Sequence, residues 1–335
     1  MVAEHIVIVI NKTQLEQLVE RFNTKAQSQF YIEQSGGDFN QYLTGHDTFK
    51  HSLDTVIRNI PSSIKYKIID RSFLPNYIFS DKDLVIVLGQ DGLVANTAKY
   101  VKNRPIIAIN PNPNRFDGQL LPFNPYNFLP ELLNAFENKH KVRAVTMAEA
   151  RLNNGQRLTA FNDLFIGPRT HVSARYLINY NQREEQQSSS GIIISTGAGA
   201  TGWLSSLLNM ANGMMKAFNS KPAGAKAISK KNTDKSPAKA GSVELPYNMS
   251  WEQEHLVFVV REPFKSKHSG ADITAGIVNE TLRLQIESYM PDYGVIFSDG
   301  IEQDYLPFNS GSIASVGIAS EKAHIVQNTQ TNSKR

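Results

Sequence analysis

No cysteine occurs in the 335 residues of the chain. That excludes a disulfide framework, a thiolate nucleophile, a zinc–cysteine site and an iron–sulfur cluster. Long apolar runs are missing too: none approaches the ~20 residues that span a bilayer, so no membrane association is expected. The opening Met1-Val2-Ala3-Glu4-His5 has neither a basic leader nor a small-residue cleavage site, and a cytoplasmic protein is expected. Organised surplus charge is scarce as well. Between 221 and 240, Lys221, Lys226, Lys230, Lys231, Lys235 and Lys239 face Asp234 alone, which more than accounts for the net +4. Phosphate-backbone binding needs basic residues on a folded face, whereas these lie among Ala, Ser, Gly and Pro, so no nucleic-acid partner is expected. The eight histidines, His46 and His51 among them, show no metal-ligand spacing, and neither G-x-S-x-G nor G-x-x-x-x-G-K-[ST] occurs. Zinc hydrolases, α/β-hydrolases and P-loop enzymes are therefore disfavoured.

What remains is a folded composition, 41% hydrophobic and 20% charged, long enough for two domains. The first ~150 residues alternate strand-like and helix-like segments, the pattern of an α/β domain with a mostly parallel sheet. Ile6–Ile10 reads as a buried strand, Gln14–Phe22 as a helix, and Phe49, Leu53, Val56, Ile57 and Ile60 as one helical face that Pro61 closes. Strands are expected at Ile64–Ile69, Leu84–Leu88 and Ile106–Ile109, with a helix over Leu93–Lys102. Beyond Val142 the periodicity turns strand-like, at Val142–Met147, Leu158–Ile166, Ala174–Tyr180, Gly191–Ser195, Leu256–Val260, Leu282–Ser288, Val295–Phe297 and Ile313–Ile318. Trp203–Phe218 is the one clear helix there. The division expected is an α/β domain over 1–140, a β-rich nucleotide-binding domain over 141–326 with a disordered basic insertion at 219–242, and a flexible tail at 327–335.

Leu88-Gly89-Gln90-Asp91-Gly92 follows a buried strand and precedes a helix. Glycines at such a junction let backbone approach a phosphate, and the helix start offers free N–H groups. Asp91 there reads either as a catalytic base or Mg²⁺ partner, or as a simple helix cap. Gly197-Ala198-Gly199-Ala200-Thr201-Gly202 fits G-x-G-x-x-G. A dinucleotide fold would require a strand ending in Asp or Glu ~20 residues further on, and the basic segment stands there instead. A Rossmann dehydrogenase is thus disfavoured, and the loop reads as a nucleotide contact or a tight turn. Asn162-Asp163 interrupts an apolar strand, where buried polar groups need partners within the protein or on a ligand. Phe297-Ser298-Asp299-Gly300 is by itself a turn signal.

Taken in order, Gly89-Gln90-Asp91-Gly92, Ile109-Asn110, Asn162-Asp163, the Ser195–Trp203 loop and Asp299-Gly300 resemble the motifs of NAD kinases. The resemblance spans about 80–320. It implies an NAD kinase-like fold and an ATP-dependent phosphotransferase, with Mg²⁺ accompanying ATP and NAD as the acceptor. Asp91 would activate the 2′-hydroxyl of the adenosine ribose. Gly89, Gln90 and Gly92 would receive phosphates, and Asn110, Asn162, Asp163, Thr196, Gly199, Thr201, Trp203 and Asp299 would bind nucleotide or substrate. It also implies a homodimer or homotetramer. Gln90 stands where the family has glycine, Asp163 where it has glutamate, Ala200 where it has serine and Trp203 where it has tyrosine. These departures leave room for another small hydroxyl acceptor, or for a catalytically silent nucleotide sensor of the same fold. A lipid or sphingoid-base kinase fits less well, because neither an apolar groove nor a membrane-binding helix is evident.

Overall fold

The computed structural model describes residues 3–219 and 249–329; beyond Asn219, the basic insertion lies outside them, as does the tail past Thr329. The first half runs β1 (His5–Ile10), α1 (Gln14–Phe22), α2 (Lys25–Gln34), α3 (Phe39–Asn59), β2 (Lys65–Asp70), β3 (Asp83–Leu88), α4 (Asp91–Ala98), β4 (Pro105–Ile109) and α5 (Leu129–Phe136). Strands β2, β1, β3 and β4 lie side by side in that order, all parallel.

Alternation explains why these strands read as unbroken apolar runs. Successive side chains of a strand point to opposite faces, and a sheet covered on both faces needs apolar residues at every position. Ile6, Ile8, Leu84, Ile86, Leu88, Ile107 and Ile109 pack with Leu53 and Val56 of α3 and Leu132 of α5. Val7, Val9, Val85, Val87, Ile106 and Ala108 face the other way, onto Leu93, Val94 and Ala98 of α4. Helix α1 begins at Thr13 in a capping box with Glu16, which satisfies two otherwise unpaired backbone donors. Lys50 of α3 reaches the same Glu16 at 2.8 Å and holds the two helices together.

The second half comprises β5 (Val142–Leu152), β6 (Arg157–Ala160), β7 (Asp163–Pro168), β8 (Ala174–Tyr180), β9 (Arg183–Ser189), β10 (Ile192–Ser195), α6 (Trp203–Asn219), β11 (Leu256–Val260), β12 (Ala275–Val278), β13 (Leu284–Ser288), β14 (Gly294–Ser298), β15 (Ile301–Pro307) and β16 (Ile313–Val326). Strands β12, β11, β10, β7, β14 and β15 form an antiparallel sheet in that order. Its inner face, with Leu164, Ile166, Ile192, Ile194 and Phe258, packs on Tyr176, Ile178, Leu284, Ile286 and Val316 of the larger sheet. Its outer face carries Phe165, Ile193 and Val295, against which Trp203 and Leu207 of α6 pack. The fourteen-residue β16 pairs antiparallel with β5 and β13, then runs parallel to β4 at His324 and Ile325, so that it closes the parallel sheet from the far end of the chain.

The architecture is an α/β unit with a mostly parallel sheet followed by an antiparallel β-rich unit. The single strand expected over Leu158–Ile166 is two, β6 and β7, parted at Phe161 and Asn162, where the chain turns from one sheet into the other. Ile86 has no exposed surface. Ile86→Ala is therefore expected to lower unfolding stability by about 2–5 kcal/mol in urea titration. A loss below about 1 kcal/mol would contradict its packing between α3 and α5.

Candidate active site

In the order β2-β1-β3-β4 the chain leaves β1 toward β2 on one side and reaches β3 on the other, so the direction of winding reverses between β1 and β3. A crevice opens at such a reversal, outside the carboxyl ends of the strands. Here it is a cavity of about 490 Å³, a size that admits a small-molecule ligand. Lys12 and Thr13 after β1, Arg71 after β2, Gly89, Gln90 and Gly92 after β3, and Pro111 and Asn112 after β4 contribute to its walls. Tyr42 and His46 of α3 close one side, with Asp299 and Ile301 on another. His46 Nδ1 lies 2.8 Å from Thr13 Oγ1, tying α3 to the turn that starts α1.

The glycines of the loop have different jobs. A Cβ on Gly89 would stand 2.7 Å from Leu93 Cδ2, so this position must be bare for α4 to pack against its own entry. Gly92 meets nothing within 4 Å, which leaves its backbone open to the cavity. Gln90 is the N-cap of α4 and makes no side-chain cap hydrogen bond, so the first N–H groups of the helix are not consumed by it. Asp91 is the first helical residue and not the cap. Its Oδ1 accepts a 2.7 Å hydrogen bond from the Leu120 N–H, which fixes the carboxylate toward the connection after β4. Asn110, buried at the end of β4, donates from Nδ2 to the Phe116 carbonyl and accepts at Oδ1 from the Asn112 N–H, both at 2.9 Å. It folds the long 111–118 connection and does not itself line the cavity.

The second cluster gathers around Asp299. Asp299 and Gly300 form a two-residue turn between β14 and β15, with φ of +54° and +70°, the left-handed pair that Asp-Gly favours in a hairpin. The Asp299 carboxylate accepts from three successive backbone N–H groups, those of Phe161 (3.0 Å), Asn162 (2.6 Å) and Asp163 (3.2 Å). Lys99, just past α4, lies 4.0 Å from the same carboxylate and donates to Ser298 Oγ at 2.7 Å; both charged side chains are only 2% exposed. Asp304, bonded to the Tyr100 hydroxyl, stands 3.6 Å from the Lys99 ammonium. Burial pushes the Asp299 carboxyl up, against the pull of Lys99 and the three N–H groups. Burial likewise pulls the Lys99 ammonium down, against Asp299 and Asp304.

The turn that Asp299 holds is gripped from behind. Thr196 donates its N–H to the Asn162 carbonyl at 2.9 Å and its hydroxyl to the Phe161 carbonyl at 2.6 Å. A Cβ on Gly199 would sit 2.3 Å from the Asn162 carbonyl oxygen and 2.8 Å from Asp163 Oδ1. One on Gly197 would lie 2.0 Å from the Ser250 carbonyl oxygen. These two glycines of the G-x-G-x-x-G match therefore serve close backbone packing. Asn162, Asp163, Thr196, Gly199 and Asp299 thus come together, and Asp299 joins them to the cavity. Thr201 and Trp203 do not. Thr201 is exposed outside the cavity, and Trp203 stacks on Phe165 at 5.8 Å beneath Arg261, in a separate depression on the outer face of the antiparallel sheet. Arg71, Arg115, His46 and Lys99 escaped the sequence reading. The position of Arg71 directly after a strand of the parallel sheet was the available signal for it; nothing local marks Lys99 as buried.

No family model matches the chain. A curated NAD kinase of Prosthecochloris aestuarii (strain DSM 271 / SK 413) is 28% identical over 138 residues, 40% of this chain and 48% of that protein, so the match spans about half the relative's length. The crystal structure of an NAD kinase from Archaeoglobus fulgidus in complex with ATP superposes with a TM-score of 0.52 at 14% identity, covering 97% of this chain and 94% of the other. Yeast NADH kinase complexed with NADH gives 0.54 at 14% identity, over 98% and 85%. The fold is that of the NAD kinases. Within the NAD kinase fold, the cavity of this chain lies at the loop that carries Asp91.

Asp163 is the titratable group of the cluster. Its Oδ1 is buried without a hydrogen-bond partner. Burial, opposed by a hydrogen bond from Ser195 and reinforced by Asp299, pushes its carboxyl up to about 7. Between about pH 4 and pH 7 the folded state then holds a proton that the unfolded chain has released, so stability falls as pH rises through that window. Urea unfolding at about pH 5, 6 and 8 should show the wild type losing stability relative to Asp163→Asn, by at most about 1.4 kcal/mol per pH unit, and levelling off above pH 7. Parallel profiles for the two proteins would contradict the burial of a carboxylate with one oxygen unmatched.

Proposed function

We propose that the chain is an ATP-dependent kinase that phosphorylates the 2′-hydroxyl of the adenosine ribose of NAD to give NADP. The observation that carries this is the placement of Gly89-Gln90-Asp91-Gly92 at the winding reversal, where Gly89, Gln90 and Gly92 line a cavity of ligand size and the Leu120 N–H holds the Asp91 carboxylate just outside that lining. The names of the similar proteins supply the acceptor and the donor: an NAD kinase by sequence, and NAD and NADH kinases by fold, one of them solved with ATP.

In this reading Asp91 is the general base. The Leu120 N–H holds Oδ1, and Oδ2 has no hydrogen bond among the described residues, so one oxygen orients the carboxylate while the other receives the proton. The ribose oxygen forms a bond to the terminal phosphorus of ATP, the bond from that phosphorus to the bridging oxygen breaks, and ADP leaves. The N–H groups at the start of α4 and the bare Gly92 face the transferred group, where charge builds up. Mg²⁺ enters as part of the MgATP substrate. No group of three or more His, Asp or Glu side chains among the described residues forms a resident metal site. Asn162 and Asp163 would face the acceptor. We place the protein in the cytoplasm as a homodimer or homotetramer; no described helix is long and apolar enough to cross a membrane.

One observation favours a second reading, in which the protein binds nucleotide without turning it over: Gln90 lines the cavity and carries a side chain where a glycine would leave only backbone to meet phosphate. NADP formation from ATP, Mg²⁺ and NAD decides between them. The wild type should turn over, and Asp91→Asn should lose roughly 10²–10⁴-fold in kcat while keeping its unfolding midpoint. Undiminished turnover in that variant would remove Asp91 from the chemistry. NAD binding without any turnover by the folded wild type would leave the silent binder.

A further inference from the structure

Helices α1 and α3 are joined beside the cavity by a relay of four side chains. Thr13 and Glu16 stand at the start of α1, and His46 and Lys50, four residues apart and so on one face of α3, reach them. Glu16 is the fixed end. Its Oε2 accepts from the Thr13 N–H at 2.8 Å and from the Thr13 hydroxyl at 3.2 Å, and its Oε1 accepts from Lys50 Nζ at 2.8 Å. Burial pushes its carboxyl up, but Lys50 and Thr13 outweigh burial and hold it below the ordinary range. It is therefore ionised, and an ionised carboxylate can only accept.

The Thr13 hydroxyl has one proton and two lone pairs. The proton goes to Glu16, one lone pair takes the Glu16 N–H at 3.3 Å, and the other faces His46 Nδ1 at 2.8 Å. With its proton committed, Thr13 can only accept from His46, so Nδ1 carries the hydrogen. In a neutral imidazole the other nitrogen then holds a bare lone pair. His46 lines the cavity, and its Nε2 has no hydrogen-bond partner among the described residues.

That lone pair sets the chemistry of what it can meet. It repels a phosphate oxygen and calls for an O–H or N–H, and on a nucleotide those donors belong to the sugar and the base. The rest of this wall has the same character. Gln17 of α1 and Gln41 and Tyr42 of α3 are uncharged, whereas the cations of the lining, Lys12, Arg71 and Arg115, come from strand ends and their connections.

We infer that His46 is a substrate-binding residue whose Nε2 accepts a hydrogen bond from the nucleoside of a bound nucleotide, and that Lys50, Glu16 and Thr13 are positioning residues that fix it in this role. This rests on the reading that the cavity takes a nucleotide, and it adds residues from outside the motifs. ATP and NAD both carry adenosine, and separate binding measurements tell which of them His46 meets.

The first measurement needs no ligand. Nitrogen-15 NMR of the histidine-labelled protein, with the rings neutral, should show His46 protonated at Nδ1 and bare at Nε2, its signals identified by their loss in His46→Asn. A hydrogen on Nε2 would overturn the relay. Thr13→Val should let the hydrogen redistribute between the two nitrogens, and Thr13→Ser should keep it in place. Calorimetry then reads the binding of ATP, NAD and inorganic tripolyphosphate. His46→Asn can still donate to Thr13 through its amide but places nothing where Nε2 stood, so ATP or NAD should bind roughly 3- to 10-fold more weakly while the unfolding midpoint is kept. Tripolyphosphate, which offers no such donor, should bind both proteins alike. Unchanged affinity for both nucleotides, or tripolyphosphate weakened as much as they are, would overturn the contact. Because binding is read without turnover, a His46-dependent nucleotide site in a protein that makes no NADP would uphold the inference and reject only the proposed reaction. NADP formation by His46→Asn with unaltered KM for ATP and for NAD would uphold the kinase and reject the role of His46.

Discussion

The site is organised around one buried carboxylate. Asp299 accepts from three consecutive backbone N–H groups and stands beside a lysine that is as deeply buried as itself. A charge taken out of water is costly unless nearly every lone pair and proton finds a partner. Here the partners come from three places far apart in sequence: the turn between β6 and β7, the β14–β15 hairpin, and the residue following α4. Since α4 starts at the glycine loop, the same network that holds Asn162 and Asp163 also steadies the far end of the helix whose first turn faces the cavity. Removing either charge would strand the other without its counter-ion, a situation worse than a neutral pair of the same shape.

Around this anchor the chemistry is left to positioning. Glycines sit where backbone must touch backbone or side chain, as at Gly89, Gly197 and Gly199, and Gly92 is bare toward open space. Hydrogen-bonding side chains near the site are mostly committed before any ligand arrives: Asn110 to its own loop, Thr196 to Phe161 and Asn162, and one oxygen of Asp91 to Leu120. Such prior commitment lowers the reorganisation needed when charge develops on a bound group. Asp163 is the exception, a carboxylate kept in the interior with one oxygen unmatched. A hydroxyl on a bound molecule would be a natural complement to it.

Much of the frame was legible because burial on two faces writes itself as continuous β-branched runs. The helix expected at Gln14–Phe22 has those same bounds in the structure, where Thr13 and Glu16 cap it. Ala174–Tyr180 and Leu256–Val260 likewise match. Elements without an apolar period escaped: β9, Arg183–Ser189, is an edge strand of mostly polar residues, and α2 has almost no amphipathic bias. In β16 the pattern was followed only to Ile318, because the irregular register between Ile318 and Lys322 breaks the alternation while the ladder continues. At the site, the loop after β3 was readable because glycines, a carboxylate and a strand end adjoin in sequence. Asp299 read as a turn, since its partners lie well over a hundred residues away, and Lys99 acts through neighbours that no local pattern announces.

Strand β16 has a consequence for how the molecule comes into being. The parallel sheet that presents the glycine loop acquires its last neighbour only when His324 and Ile325 lie down beside Pro105 and Ile106. Contacts so distant along the chain close late, because the entropy of a long loop must be overcome before they give anything back. During synthesis, therefore, β1 to β4 emerge with an open edge beside β4 and wait for most of the remaining chain before that edge is covered. The unfinished sheet is the stage at which this protein is most exposed to pairing with the wrong strand.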